Sequence, residues 1–196
     1  MKKIFNLIGI VFTLFILNCS KQATVSIVSQ INSTTAPSGI STPKYAPVNG
    51  TAATITNYLV KFVKIEIGNS ESDKFTLWSS SSSTGDQKDI FNQVTFSGIQ
   101  KVKEGNYKYV RLTIDPTLSV SGYIDDNGTN IYGTATLTVS STHVWGISGT
   151  GADNLLTSEI TIQDGGQISL DFNVMNTLVY SNGLELTAPE LTFSSK

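Results

Sequence analysis

The chain has 196 residues, a formal net charge of −2 and 14% charged side chains, against about 25% in an average domain. Arg111 is the only arginine and no basic cluster occurs, which argues against nucleic-acid binding and against attraction of the domain itself to anionic head groups. One cysteine, Cys19, and one histidine, His143, exclude a disulfide framework and fall short of the three or four N/S ligands of a zinc site.

Lys2 and Lys3 form a positive n-region ahead of an apolar stretch, Ile4 to Leu17. That stretch fits the h-region of a signal peptide and is shorter than the roughly 20 apolar residues of a spanning helix. Phe15-Ile16-Leu17-Asn18-Cys19 follows. It resembles a lipobox, with Ile16 and Asn18 in the manner of the relaxed lipoboxes of spirochaete lipoproteins. The resemblance implies cleavage after residue 18 and acylation of Cys19, whose buried chains would hold the protein on a membrane at about 0.8 kcal/mol per CH₂. Loss of Lys2 and Lys3 with the leader takes the net charge from −2 to −4.

Residues 20–50 are rich in Ser, Thr, Pro, Gly and Asn and lack acids; Ser33 to Gly39, Pro43 and Pro47 are strong breakers. Residues 19–51 therefore read as the lipidated cysteine and a flexible tether, with an r.m.s. span of roughly 30 Å. Val25, Ile27 and Ile31 leave open a first strand inside it. Residues 52–196 form the expected domain. There the apolar residues take a period of two, the signature of half-buried strands. Tyr58, Val60 and Phe62 share one parity, and Val63, Ile65 and Ile67 the other, so the phase flip predicts a bulge or a strand changing sheets. Further alternating sets follow in chain order: Phe75 and Leu77; Ile90, Val94 and Phe96; Val110, Leu112 and Ile114; Leu118, Val120 and Ile124; Ile131, Ala135, Leu137 and Val139; Ile160 and Ile162; Ile168, Leu170, Phe172 and Val174; Leu184 and Leu186; Leu191 and Phe193. Asp126-Asn127-Gly128, Asp164-Gly165-Gly166 and Ser181-Asn182-Gly183 supply hairpin turns. No helical period competes. The expected fold is all-β, an antiparallel β-sandwich of about 8–10 short strands.

The core and turn residues carry a further resemblance. Val63-Lys64-Ile65-Glu66-Ile67 with Trp78, Asp89-Ile90-Phe91, Gly105-Asn106-Tyr107 leading into Val110-Arg111-Leu112, and Leu170-Asp171-Phe172 ahead of Leu184 to Pro189 resemble a family of bacterial lipoprotein domains with a prealbumin-like or transthyretin-like sandwich. The similarity spans roughly residues 55–192. It implies a fold and no chemistry. Gly105-x-Tyr107 also resembles a tyrosine corner, with the hydroxyl bonded to nearby backbone.

The candidate sites are few. His143 would have to carry any triad, and no G-x-S-x-G elbow accompanies it; a plain strand or turn role is expected. Asp125 to Asn130 offers clustered oxygens for calcium, but without the EF-hand spacing, so a hairpin turn is the better reading. Asp115, Asp125, Asp153 and Asp171 are the carboxylates available for glycoside hydrolysis, which sequence cannot pair. Trp78 and Trp145 could stack on sugars, though a buried place in the sandwich is the stronger expectation. The sequence reading is a non-enzymatic envelope or surface lipoprotein without cofactors, in the outer membrane through its lipid. Its sandwich would bind a protein or glycan partner. The alternatives are a periplasm-facing structural or assembly lipoprotein and a carbohydrate-binding module.

Overall fold

The computed structural model describes residues 21–32, 44–45, 53–126, 128–147, 154–156, 158–173, 178–180, 184–186 and 190–196, and these residues contain strands and no helix. The chain opens with β1 (Gln22–Ala23) and β2 (Ser26–Asn32); β3 (Lys44–Tyr45) precedes the longest strand, β4 (Ala53–Gly68). Next come β5 (Lys74–Ser79), β6 (Asp86–Asp89), β7 (Val94–Thr95), β8 (Val102–Lys103), β9 (Gly105–Tyr107) and β10 (Tyr109–Ile114). A hairpin of β11 (Thr117–Asp126) and β12 (Thr129–Thr138) leads to β13 (Thr142–Gly146), β14 (Asn154–Leu155) and β15 (Ile160–Ile162). Last are β16 (Gln167–Asn173), β17 (Leu178–Tyr180), β18 (Leu184–Leu186) and β19 (Glu190–Ser195).

The large sheet runs β12-β11-β4-β10-β13-β14, with β3, β5 and β6 also paired to β4. A four-stranded sheet, β19-β16-β2-β7, faces it. Rings join the two layers: Phe62 of β4 meets Phe172 of β16 edge-on at 6.0 Å, and Trp145 of β13 meets Phe193 of β19 at 5.0 Å. Such edge-to-face pairs are the favoured aromatic geometry. The fold is the all-β sandwich expected, mostly antiparallel. The exceptions are β2 with β16 and β13 with β14, which run parallel.

The phase flip in β4 is a bulge. Thr113 of β10 pairs with Lys64 and Ile114 with Phe62, so Val63 has no partner across that ladder. A second shift lies at Thr56, between the Ser121–Asn57 and Gly122–Ile55 pairs. Because successive side chains alternate between faces, each extra residue inverts the inward set. Ile55, then Tyr58, Val60 and Phe62, then Ile65 and Ile67 are all buried as a result. Without the bulges a 16-residue strand would turn half of these side chains outward. With them it stays on the core while pairing with β11 at one end and β10 at the other.

The tether assigned to residues 19–51 requires a correction at 21–32. β1 pairs with β8, and β2 lies between β16 and β7 in the centre of the smaller sheet. Ala23, Val25, Ile27 and Val28 are buried. The domain therefore begins near Gln22, not at 52. The polar composition of 20–50 hid this strand, yet Val25, Ile27 and Ile31 supply its apolar residues, and burying apolar surface outweighs the weak β-propensity of Ser, Gln and Asn. Residues 33–52 connect β2 to β4 in sequence; apart from β3 (Lys44–Tyr45) they lie outside the described residues.

Candidate functional site

Cys19 lies outside the described residues, as does Asp153. The chain just after Cys19 is tied down: Lys21 Nζ stands 2.9 Å from Glu104 Oε1, and the Thr24 N–H donates to Asp164 Oδ1 at 2.9 Å. The Glu104 carboxylate raises the Lys21 amine above its ordinary value, by hydrogen bond first and charge second.

Both tryptophans are core residues. Trp78 is 3% exposed and donates its indole N–H to the Ser97 carbonyl at 2.9 Å; Trp145 is 1% exposed and donates to the Leu191 carbonyl at 3.3 Å, across the two sheets. Neither face is open to a sugar ring. Tyr107 is the corner tyrosine expected: its hydroxyl donates to the Lys103 carbonyl at 2.7 Å, and its ring packs edge-on against Phe75 at 5.4 Å. Burial first, then the Asp73 charge, raises the phenol above its ordinary value.

His143 sits on β13 opposite Leu112, with its ring 6.0 Å from that of Trp145. It lines a cavity of about 170 Å³ between the layers, with Leu118, Leu137, Phe172, Leu191 and Ser140. Ligand sites usually enclose about 300–1,000 Å³, so this space suits a few carbon atoms at most. The Ser140 hydroxyl donates to the Thr142 carbonyl at 2.8 Å, a turn bond that commits the serine away from the imidazole. The pair is not a nucleophile with its base.

The acidic candidates separate. Asp126 pairs with Thr129 across the β11–β12 hairpin, and Gly128 takes a φ of +86°, the positive φ a tight turn needs. The Asp125–Asn130 segment is thus the hairpin expected. Asp115 accepts from the Thr117 N–H at 2.9 Å where β10 passes to β11, whereas Asp171 lies on the other sheet and accepts from the Ser169 hydroxyl at 2.9 Å. Among the described residues no three His, Cys, Asp or Glu side chains gather as a metal centre.

The densest polar constellation was not anticipated. Glu66 on β4 faces Arg111 on β10 in register and is 7% exposed. Lys64 Nζ lies 3.1 Å from Glu66 Oε1, and Arg111 Nε lies 3.8 Å from Glu66 Oε2. Arg111 Nη1 and Lys74 Nζ both reach Glu71 Oε1 at 2.8 Å. The Lys74 hydrogen bond is the largest influence and holds the Glu71 carboxyl below its ordinary value; burial, next in size, opposes it, and the Lys74 and Arg111 charges and the Arg111 hydrogen bond add to the lowering. This network fastens the β4–β5 turn over the outer face of the large sheet. The sequence signal is Lys64 and Glu66, alternating with Val63, Ile65 and Ile67, together with the lone arginine, Arg111. Glu71 and the Glu66 Oε1 atom are paired within this network, whereas Glu66 Oε2 and Arg111 Nε face each other at 3.8 Å without a hydrogen bond. No family model, curated protein or solved structure matches the chain.

Proposed function

We propose that the chain is a non-enzymatic lipoprotein of the bacterial cell envelope, anchored through lipid on Cys19, whose β-sandwich serves binding or assembly at the membrane. The observation that carries this reading is the order Lys2-Lys3, Ile4 to Leu17, Cys19, followed by a first strand at Gln22. Cleavage before Cys19 would leave every described strand in the mature chain. The commitment of Ser140 to Thr142 and of the Arg111 network to internal pairs supports a binding role over catalysis. Sugar stacking through Trp78 or Trp145 has no support from their buried positions. A protein surface is therefore the favoured ligand class.

Labelling cells with a fatty-acid analogue tests the anchor. The wild type should take up label and run at the mature mass, and Cys19→Ser should do neither. Label retained by Cys19→Ser, or none in the wild type, would overturn the reading. Protease added to intact cells, beside a periplasmic control, then distinguishes surface display from a periplasm-facing role.

A further inference from the structure

Among the described residues β12 is the terminal strand of the large sheet and pairs with β11 alone. It covers Thr129–Thr138, with the sequence TNIYGTATLT. Sheet edges are normally blunted by Lys, Pro, bulges or brevity, because their free N–H and C=O groups template pairing with another strand. β12 has no charge and no proline, and its register with β11 is unbroken from Thr129 to Thr138. Tyr132 is 71% exposed, and among the described residues no other large hydrophobic side chain is exposed.

The direction of the free backbone groups follows from hydrogen bonds already made. Residues of an antiparallel pair alternate between facing the partner and facing away. The Val139 N–H donates to the Pro116 carbonyl at 2.8 Å, so the odd-numbered residues of this strand face β11. The Ser121 N–H donates to Asn57 Oδ1 on β4, so Ser121, opposite Thr134, faces away from β12. Both observations turn the N–H and C=O of Asn130, Tyr132, Thr134, Thr136 and Thr138 to the open edge. β18 approaches both β12 and β11, and among the described residues its ladder is with β17. Contact with β11, one strand in from the edge, places β18 across the sheet. The exposed side chains of Tyr132, Thr134, Thr136 and Thr138 put it on the inner side.

We infer that β12 is a homotypic docking edge, where a second copy of this chain adds its own β12 antiparallel about a twofold axis through Thr134. In that register Thr134 meets Thr134, Tyr132 meets Thr136 and Asn130 meets Thr138. Every outward N–H and C=O of these residues then finds a partner, and no like charges meet. The edge is thus self-complementary, as a twofold interface requires. A shared membrane anchor would raise the effective concentration of copies; only this contribution rests on the lipoprotein reading.

The test uses the full chain in detergent, in a Cys19→Ser background so that an introduced thiol is the sole one. Opposed residues of a bonded antiparallel pair have Cα atoms about 5.5 Å apart, within disulfide range. Thr134→Cys should therefore form a covalent dimer on mild oxidation, while Ser119→Cys, one strand further in on the same face, should not. Thr134→Pro removes an N–H that β11 does not use. It should weaken self-association in sedimentation by roughly 10–30-fold, as expected for two lost hydrogen bonds, with the melting temperature nearly kept. Ala135→Pro, which breaks the ladder to β11, should lower it. A monomeric wild type, equal cross-linking by Ser119→Cys, or dimers unaffected by Thr134→Pro would overturn the inference. So would a different chain occupying the edge.

Discussion

Ile27→Ala tests whether the N-terminal segment belongs to the core. Ile27 is 0% exposed on β2, the strand that joins β16 to β7. The substitution removes three carbons. At about 0.8 kcal/mol per buried CH₂, transfer alone costs about 2.4 kcal/mol. The unfilled cavity raises the loss toward about 4 kcal/mol, a large part of the roughly 5–15 kcal/mol that holds a domain together. For a domain of this size each kcal/mol moves the midpoint by about 2–4 °C, so the melting temperature should fall by roughly 5–16 °C. Urea unfolding followed by tryptophan fluorescence gives the free energy directly, since Trp78 and Trp145 are both in the core. The exposed Gln22→Ala on β1 serves as the control and should stay within about 0.5 kcal/mol. An Ile27→Ala loss no larger than that control would mean that residues 21–32 are a tether after all, and that the smaller sheet lacks its central strand.

Three other outcomes follow from the same fold. Deletion of Val63 removes the extra residue and leaves Phe62, Ile65 and Ile67 in one regular inward alternation, so the deleted chain should keep a cooperative unfolding transition, whereas insertion of one alanine after Lys64, which turns Ile65 and Ile67 outward, should abolish it. Tyr107→Phe loses the bond to the Lys103 carbonyl and should cost about 1 kcal/mol in urea. It should also change the alkaline limb of stability. The folded-state value of Tyr107 is raised, so its contribution is complete below the ordinary tyrosine value of about 10 and is lost as pH rises through the raised value. The phenylalanine variant should lack that fall. Trp78 and Trp145, at 3% and 1% exposure, should emit at short wavelength, resist acrylamide quenching and stay unchanged across a panel of soluble glycans. A saturable response to one glycan would contradict their packing.

Much of the fold was written in the alternation of side chains. Val110, Leu112 and Ile114, and likewise Ile168, Leu170 and Phe172, are buried as their period of two required. The inversion at Phe62 and Val63 marked the bulge because a strand's inward set cannot change parity without an extra residue. The corner role of Tyr107 was equally visible, since a glycine two residues before a tyrosine is a local signal. β2 was harder to read. Its pairing with β16 joins residues about 140 positions apart, and nothing in Ser26 to Asn32 announces a partner so distant. Glu66 was missed for a related reason. An acidic residue between two isoleucines reads as outward surface, and only Lys64, Arg111 and the fold of the β4–β5 turn make it a buried ionic centre. The open edge of β12 is a property of sheet order, which no local pattern encodes.

The parallel pairing of β2 with β16 also governs when the domain can close. β2 is made early and pairs with β7, but its parallel partner β16, and β19 beyond it, are made only after every strand of the large sheet. Loops of this length are slow to close, because chain entropy is lost before the contacts that reward it are made. A chain emerging from its N-terminus can assemble β4, β10, β11 and β12 from near neighbours, yet the edge of β2 that takes β16 stays unpaired until that strand is made. Closure of the smaller sheet is then a late event that follows synthesis of β16 and β19, and Val25, Ile27 and Val28 stay within reach of holding factors until that moment.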